Sequence, residues 1–317
     1  MESASRKIKS VFIGGASRSG TTLLGSMLGS HSQSVVTPES QFKFDTQLPE
    51  LWKAGQRQKV FDGLERHPRF QVWEMLPDWD KVKAQSFTDI VLALVDQYAT
   101  MRQQTGYSLW IDHTPVNLRH CEFLNKYYQD CRFIHIVRDG RAVMASQFAM
   151  DWGSNDPIFA SQKWIESIAT GLACESVYPD RCIRVHYEAL VSDPERECRR
   201  ICAFLGIDFE PKMIRGTDFE VPTFTKSQHQ LVGSLPDPSR ISDWRNTLKK
   251  KDIRIFESMT YDLLQVMGYE KVFPEIVAKP AEWKQAWILL KGALQYLTYN
   301  VWRRKKREAR QKKSTDH

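Results

Sequence analysis

The segment Gly15-Ala16-Ser17-Arg18-Ser19-Gly20-Thr21-Thr22 has the spacing of a phosphate-binding loop, G-x-x-x-x-G-K-[ST], except that Thr21 stands at the lysine position. The backbone N–H groups of such a loop, with the positive end of the following helix, make a cradle for an anion. The missing ammonium is the group that reaches the β- and γ-phosphates of a triphosphate, which disfavours an ordinary kinase or NTPase. A nucleotide with one 5′-phosphate bearing a transferable group suits the cradle, and Arg18 supplies positive charge from within the loop. A Gly/Ser turn that binds nothing is the competing reading, and the loop's place directly after an apolar run argues against it.

Ser17-Arg18-Ser19-Gly20-Thr21-Thr22 resembles the 5′-phosphosulfate loop of the PAPS-dependent sulfotransferases, usually P-R-S-G-T-T, with Ser17 in place of the proline. A second segment, Phe133-Ile134-His135-Ile136-Val137-Arg138-Asp139-Gly140-Arg141-Ala142-Val143-Met144-Ala145-Ser146, resembles the 3′-phosphate motif of the same family. Two motifs in order are far more specific than either alone, and the resemblance spans roughly residues 8–270. It implies a P-loop-like α/β fold and transfer of a sulfuryl group from 3′-phosphoadenosine 5′-phosphosulfate (PAPS) to a hydroxyl or amine. It also implies nucleotide binding by Arg18, Ser19, Gly20, Thr21 and Thr22 at one end and by Arg138 and Ser146 at the 3′-phosphate. Arginine pairs with a dianionic phosphate in a planar, bidentate fashion. Tyr187, in His186-Tyr187-Glu188-Ala189-Leu190, resembles part of a segment lining the nucleotide site. Plainer readings stay open: Arg138 in a strand-end salt bridge, Arg141 as a surface residue paired with Asp139, Tyr187 as a buried aromatic with a satisfied hydroxyl.

Sulfuryl transfer needs in-line geometry, neutralised charge on the transferred group and leaving phosphate, and modest help in deprotonating the acceptor. No metal is expected, since the sulfuryl oxygens carry less charge than those of a γ-phosphate. The candidate base is Glu39, in Val36-Thr37-Pro38-Glu39-Ser40. In spacing and setting it resembles the catalytic glutamate of the protein-tyrosine sulfotransferase branch, and a carboxylate within reach of an acceptor hydroxyl can take its proton. The alternative is that Glu39 caps a turn or pairs with Lys43. Arg18 and His113 complete the catalytic set. Trp110-Ile111-Asp112-His113-Thr114-Pro115 lies where relatives often carry Lys-x-Pro, whose lysine contacts the bridging oxygen. His113 departs from that pattern and would make leaving-group assistance pH-dependent near neutrality, or would only orient the 112–114 turn.

Positioning these residues takes an alternation of strands and helices. The apolar run Val11-Phe12-Ile13 reaches Gly14-Gly15, and helical spacing resumes from Thr22. Periodicity then predicts a helix over 87–104, a strand at 108–111, a helix near 118–128 and a strand at 132–137. Helices near 142–150 and 161–177, a strand at 182–187, and helices near 195–205 and 253–267 follow. Residues 206–250, with recurrent Pro and Gly, read as irregular; there Pro236–Arg245 resembles the family's late loop, and Arg240 in it, or Ser227 before it, would reach a phosphate. Strands separated by helices imply a three-layer P-loop-like α/β fold: a mostly parallel central sheet, helices on both faces, ligands at the strands' carboxyl ends.

Composition sets the outer bounds. The chain has 317 residues, 42% hydrophobic and 26% charged, which excludes a disordered, collagen-like or disulfide-stapled protein. Its formal charge is +7, but eleven of 45 basic and three of 38 acidic residues lie in 279–317. That segment carries +8 and residues 1–278 carry −1, so a basic body that clamps nucleic acid is not indicated. Six cysteines without C-x-x-C or zinc spacing read as reduced core thiols. The N-terminal residues lack the apolar region of a signal peptide, and cytoplasmic residence is expected.

Two parts are expected: a sulfotransferase-like domain over 1–278, and an amphipathic helix with a basic tail over 279–317. Trp283, Trp287, Leu290, Leu294, Leu297 and Val301 form a helical seam that runs into Arg303-Arg304-Lys305-Lys306-Arg307. Interrupting polar residues argue against a transmembrane span. Three fates are open for this helix: packing on its own body, self-association with a second subunit, or peripheral contact with an anionic membrane. The expected activity is PAPS-dependent sulfuryl transfer; the alternatives are a catalytically silent nucleotide-binding or membrane-associated adaptor and an atypical P-loop kinase. Residues 40–105 and 147–165 would select the acceptor, and they contain aromatics (Phe42, Phe44, Trp73, Trp79, Trp152, Phe159) but no code for sugar, tyrosine or lipid.

Overall fold

The computed structural model describes residues 8–150, 155–217, 233, 235–273, 278–292 and 294, with Tyr261 by its backbone alone. Ser227, Trp152 and the tail beyond 294 therefore lie outside the described residues. The chain divides into two compact units, Met1–Arg138 with Ala169–Pro238, and Asp139–Ile168 with Ser239–His317.

The first unit is built on a five-stranded sheet: β1 Lys9–Gly15, β2 Ser34–Thr37, β3 Leu109–Asp112, β4 Arg132–Val137 and β5 Cys182–His186. The strand order is β2-β3-β1-β4-β5 and every neighbouring pair is parallel. Parallel strands need crossover connections, and helices supply them. Along the chain, α1 Thr21–Gly29 connects β1 to β2; α2 Gln47–Lys53, α3 Arg57–Arg66 and α4 Phe87–Met101 connect β2 to β3; α5 Cys121–Tyr127 connects β3 to β4; α6 Gly140–Phe148 and α7 Pro157–Val177 connect β4 to β5; and α8 Tyr187–Ser192 and α9 Pro194–Leu205 follow β5. Local sequence sets several ends: Ser86 and Asp89 form a reciprocal capping box on α4, and Gly206, at φ 71°, closes α9 in the left-handed conformation.

Strand residues alternate between two separate cores. Phe12, Trp110 and Phe133 face a cluster with Ile90, Leu94 and Tyr98 of α4. Val11, Ile13, Ile111, Ile134 and Ile136 face the other side, with Leu24 and Met27 of α1 and Ile201 of α9. Burial on both faces explains why these strands are apolar almost throughout. The described cysteines are free, five buried and Cys121 partly so.

The expected helices and strands after residue 87 are present with boundaries shifted by a few residues. One difference matters for the site: β2, Ser34-Val35-Val36-Thr37, is four residues long and follows α1 after a short turn, so its apolar signal is only two residues wide. Another is that β5 stops at His186 and Tyr187 opens α8. The segment 206–250 also holds 3-10 turns at Pro211–Ile214 and Pro238–Ile241 and a short helix, α10, Trp244–Thr247.

In the second unit α11, Lys250–Val266, follows α10, and residues 282–292 form a further helix. Arg141 on α6 is 2% exposed, gripped by Asp139 at 2.7 Å and Glu257 at 2.6 Å, with its guanidinium 4.2 Å from the Trp244 ring. The pairing with Asp139 is as expected, but the residue is not on the surface: two carboxylates and an indole satisfy a buried cation. No described helix is long and apolar enough to cross a membrane.

Close approach of β1 to β4 makes a testable demand. A Cβ on Gly15 would sit 2.2 Å from the Ile136 carbonyl oxygen. Gly15→Ala is expected to cost about 1–3 kcal/mol, the usual range for overpacking; an unchanged urea midpoint would refute it.

Candidate functional site

Because all five strands run the same way, their carboxyl ends share one edge of the sheet. Glu39 follows β2 by two residues, His113 follows β3 directly, the Gly15–Gly20 loop follows β1, Arg138 follows β4 and Tyr187 follows β5. Ligands of open α/β sheets bind at this edge, where the strand order reverses, here on either side of β1.

The loop is shaped by backbone conformations that leave its donors available. Arg18 has φ 76° and Gly20 φ 97°, and α1 begins without a side-chain cap. Its first N–H groups and the positive end of its dipole therefore point out of the helix toward an anion. Ser19 is fully buried, and its Oγ has no hydrogen-bond partner in the structure. A buried hydroxyl without a partner costs free energy that a bound oxyanion would relieve. Thr21 and Thr22 are buried at the first turn.

Arg138 and Tyr187 meet this loop directly. An Arg138 Nη donates to the Arg18 carbonyl at 3.0 Å, and the guanidinium lies 4.1 Å from the Tyr187 ring centroid. A Cβ on Gly20 would come within 2.7 Å of the Tyr187 ring, so glycine serves here for both its dihedral and its size. The sheet thus brings together the loop, Arg138 and Tyr187. Ser146 lies on α6, eight residues past Arg138, in the second compact unit. Arg240 is exposed in the 3-10 turn at Pro238–Ile241.

At the other end of the edge, Glu39 and His113 are held by one buried network. Thr37 and Asp112 are register partners on β2 and β3. Asp112 is fully buried and accepts from Ser40 Oγ, Lys43 Nζ at 3.1 Å, the Thr114 N–H at 3.0 Å and Asn117 Nδ2 at 2.8 Å. Ser40 N–H donates in turn to Thr114 Oγ1, and Asn117 Nδ2 also reaches the Ile13 carbonyl of β1. Residues on both sides of Glu39 and His113 are therefore tied together. Burial opposes the charge of Asp112, yet Lys43 with the hydrogen bonds from Ser40 and Asn117 holds its carboxyl down at about 2. Burial pushes Lys43 below its ordinary value, against the pull of Asp112.

Lys43 accordingly does not pair with Glu39. The Glu39 carboxylate meets Arg69 at 3.3 Å, and its backbone carbonyl accepts from Trp73 Nε1. Arg69 has no local signal in sequence, since it reaches Glu39 from the turn after α3. His113 is 4% exposed and packs against Gly25 of α1, where a Cβ would touch its ring at 3.0 Å. Burial lowers its pKa, with Glu39 and Asp112 pulling the other way. Phe42 and Trp73, two of the aromatics in the acceptor-selecting segments, are core residues packed on each other and on Phe70. Among the described residues no cluster of His, Cys, Asp or Glu could hold a metal ion.

Residues 10–211 match the sulfotransferase family. Among characterised relatives, protein-tyrosine sulfotransferase A of Caenorhabditis elegans is 25% identical over 288 residues, 86% of this chain and 70% of the relative. The Drosophila melanogaster protein-tyrosine sulfotransferase is 23% identical over 89% of this chain and 56% of its own length. Of solved structures, the sulfotransferase domain of the Synechococcus PCC 7002 olefin synthase superposes with a TM-score of 0.60 at 23% identity, covering 85% of this chain and 98% of that domain. The sulfotransferase domain from the curacin biosynthetic pathway gives 0.58 at 22% identity, over 84% and 100%. These structural likenesses concern the fold.

The buried pair is open to direct test. Lys43→Met leaves the Asp112 carboxylate buried without its cation and is expected to cost about 3–5 kcal/mol in urea unfolding. A loss below about 1 kcal/mol would show that the pair contributes little. Since the Asp112 pKa is depressed from 3.8 to about 2, its contribution is complete above 3.8 and is lost as the pH falls toward 2. Asp112→Asn should abolish that part of the acid dependence.

Proposed function

The chain belongs to the sulfotransferase family, and we propose that it transfers a sulfuryl group from PAPS to a hydroxyl acceptor, with Glu39 as general base. The observation that carries the donor assignment is the buried, unsatisfied Ser19 Oγ in an uncapped loop whose Gly20 abuts Tyr187. These are the features of an oxyanion cradle closed on one side by an aromatic ring. PAPS, when bound, supplies an activated sulfuryl group and a phosphate leaving group. Ser19, Gly20, Thr21 and Thr22 would hold the 5′-phosphosulfate by main-chain N–H groups and hydroxyls, and Arg18 would add charge. Arg138, which donates to the Arg18 carbonyl and lies against the Tyr187 face, would hold the 3′-phosphate.

Glu39 sits partly exposed at the sheet edge, which leaves its carboxylate accessible to an acceptor hydroxyl. Arg69 lies 3.3 Å from that carboxylate. A hydroxyl acceptor agrees with the named activity of the tyrosine-sulfating relatives. His113, buried with a lowered pKa, would act as neutral imidazole. The midpoint of its protonation then lies below the ordinary 6.5.

Glu39→Gln is expected to lower kcat by about 100-fold or more, with affinity for adenosine 3′,5′-bisphosphate little changed, whereas Arg18→Ala should damage both. Turnover of labelled PAPS on an acceptor panel and calorimetry measure the two. Near-normal turnover in Glu39→Gln would remove it as base, and preference for ATP over the bisphosphate would favour a kinase. A second expectation concerns pH: any His113-dependent fall in kcat should have its midpoint below 6.5. A fall centred at or above 6.5 that His113→Asn removes would overturn the neutral-imidazole role.

A further inference from the structure

The helix over residues 282–292 packs on its own compact unit, but not through its apolar seam. Ile288 is 6% exposed, Gly292 lies against the Phe159 ring, and Gln285 bonds to Gln162. Trp283, Trp287 and Leu290 face the other way, 75%, 58% and 62% exposed. At 3.6 residues per turn the two sets lie on roughly opposite sides of the helix. The contacts that fix the helix to its unit are thus already made, and a face carrying two indoles and a leucine remains outward.

We propose that this outward face docks the chain on an anionic membrane surface, the indoles entering the headgroup boundary and the following basic segment forming a second anchor. Three observations favour a lipid surface over a second copy of the chain. Lys284 and Lys291 lie seven residues apart, on one flank of the apolar stripe, where long side chains reach headgroup phosphates. The sequence continues into Arg303-Arg304-Lys305-Lys306-Arg307, and residues 279–317 carry +8. A second copy would bring the same charge to the same place, whereas anionic lipid is drawn to it. Tryptophan, with an apolar body and one N–H, suits the water–lipid boundary. The proposal is independent of the donor and base assignments above.

Sedimentation of the full chain with vesicles tests it. Phosphatidylcholine vesicles carrying about one-third phosphatidylglycerol should retain the chain at least tenfold better than phosphatidylcholine alone, with binding lost as salt rises. Trp283→Ser with Trp287→Ser changes only exposed side chains; circular dichroism should stay unchanged while partition onto anionic vesicles falls about tenfold or more. Arg303→Gln, Arg304→Gln and Arg307→Gln together should flatten the salt dependence. No binding to anionic vesicles, or equal binding by the double tryptophan variant, would overturn the proposal. So would a concentration-dependent dimer abolished by that variant without any vesicle binding, which would make the face a contact between copies.

Discussion

A carboxylate taken wholly out of water must be given donors and a counter-charge, and this protein meets that demand at Asp112 with groups from several segments. Ser40 and Lys43 come from beyond β2, Thr114 and Asn117 from beyond β3, and Asn117 extends the network to β1 through the Ile13 carbonyl. Each of these groups is buried, so none can exchange its partner for water without cost. The result is a fixed geometry at the ends of three strands. Glu39 precedes Ser40 and His113 follows Asp112, so the two candidate groups inherit their positions from a network to which neither belongs.

Parallel topology supplies the other half of the arrangement. An antiparallel sheet would send alternate strand ends to opposite edges, whereas here five loops emerge together. Such convergence lets a chain collect an anion cradle, an arginine, an aromatic ring, a carboxylate and an imidazole at one edge while keeping each on a short connection. Short connections matter because catalytic placement tolerates little slack. The positive φ of Arg18 is a local cost of this design, placed where the main chain turns to present its N–H groups.

The motifs were legible because their chemistry is local: a cradle needs consecutive N–H groups, and Arg138 needs only a strand end. What could not be read is what depends on side chains meeting from afar. Lys43 is three residues past Ser40 and four past Glu39, a spacing that suggests an ion pair with Glu39, yet burial turns it to Asp112, which lies 69 residues away. Arg69 reaches Glu39 from a segment with no marked pattern. The short β2 has no distinct signal in sequence, because two valines do not distinguish a strand from a loop. Phe42 and Trp73 are aromatic residues in segments expected to choose the acceptor, but aromatic identity does not say whether a ring lines a site or fills a core.

Arg138 and Arg141 illustrate why position in a motif does not assign a role. They are three residues apart in one family segment, and both side chains lie against an aromatic ring. Arg141 is enclosed by two carboxylates, so its charge is already matched and its fork of donors is occupied by Asp139 and Glu257. A phosphate offered to it would have to displace a buried ion pair on each side, at several kcal/mol. Arg138, at the end of β4, donates to the main-chain carbonyl of Arg18 and lies against the Tyr187 ring face. It is enclosure by two carboxylates, and not place in the motif, that makes Arg141 a structural cation, and the 3′-phosphate is proposed for Arg138 instead.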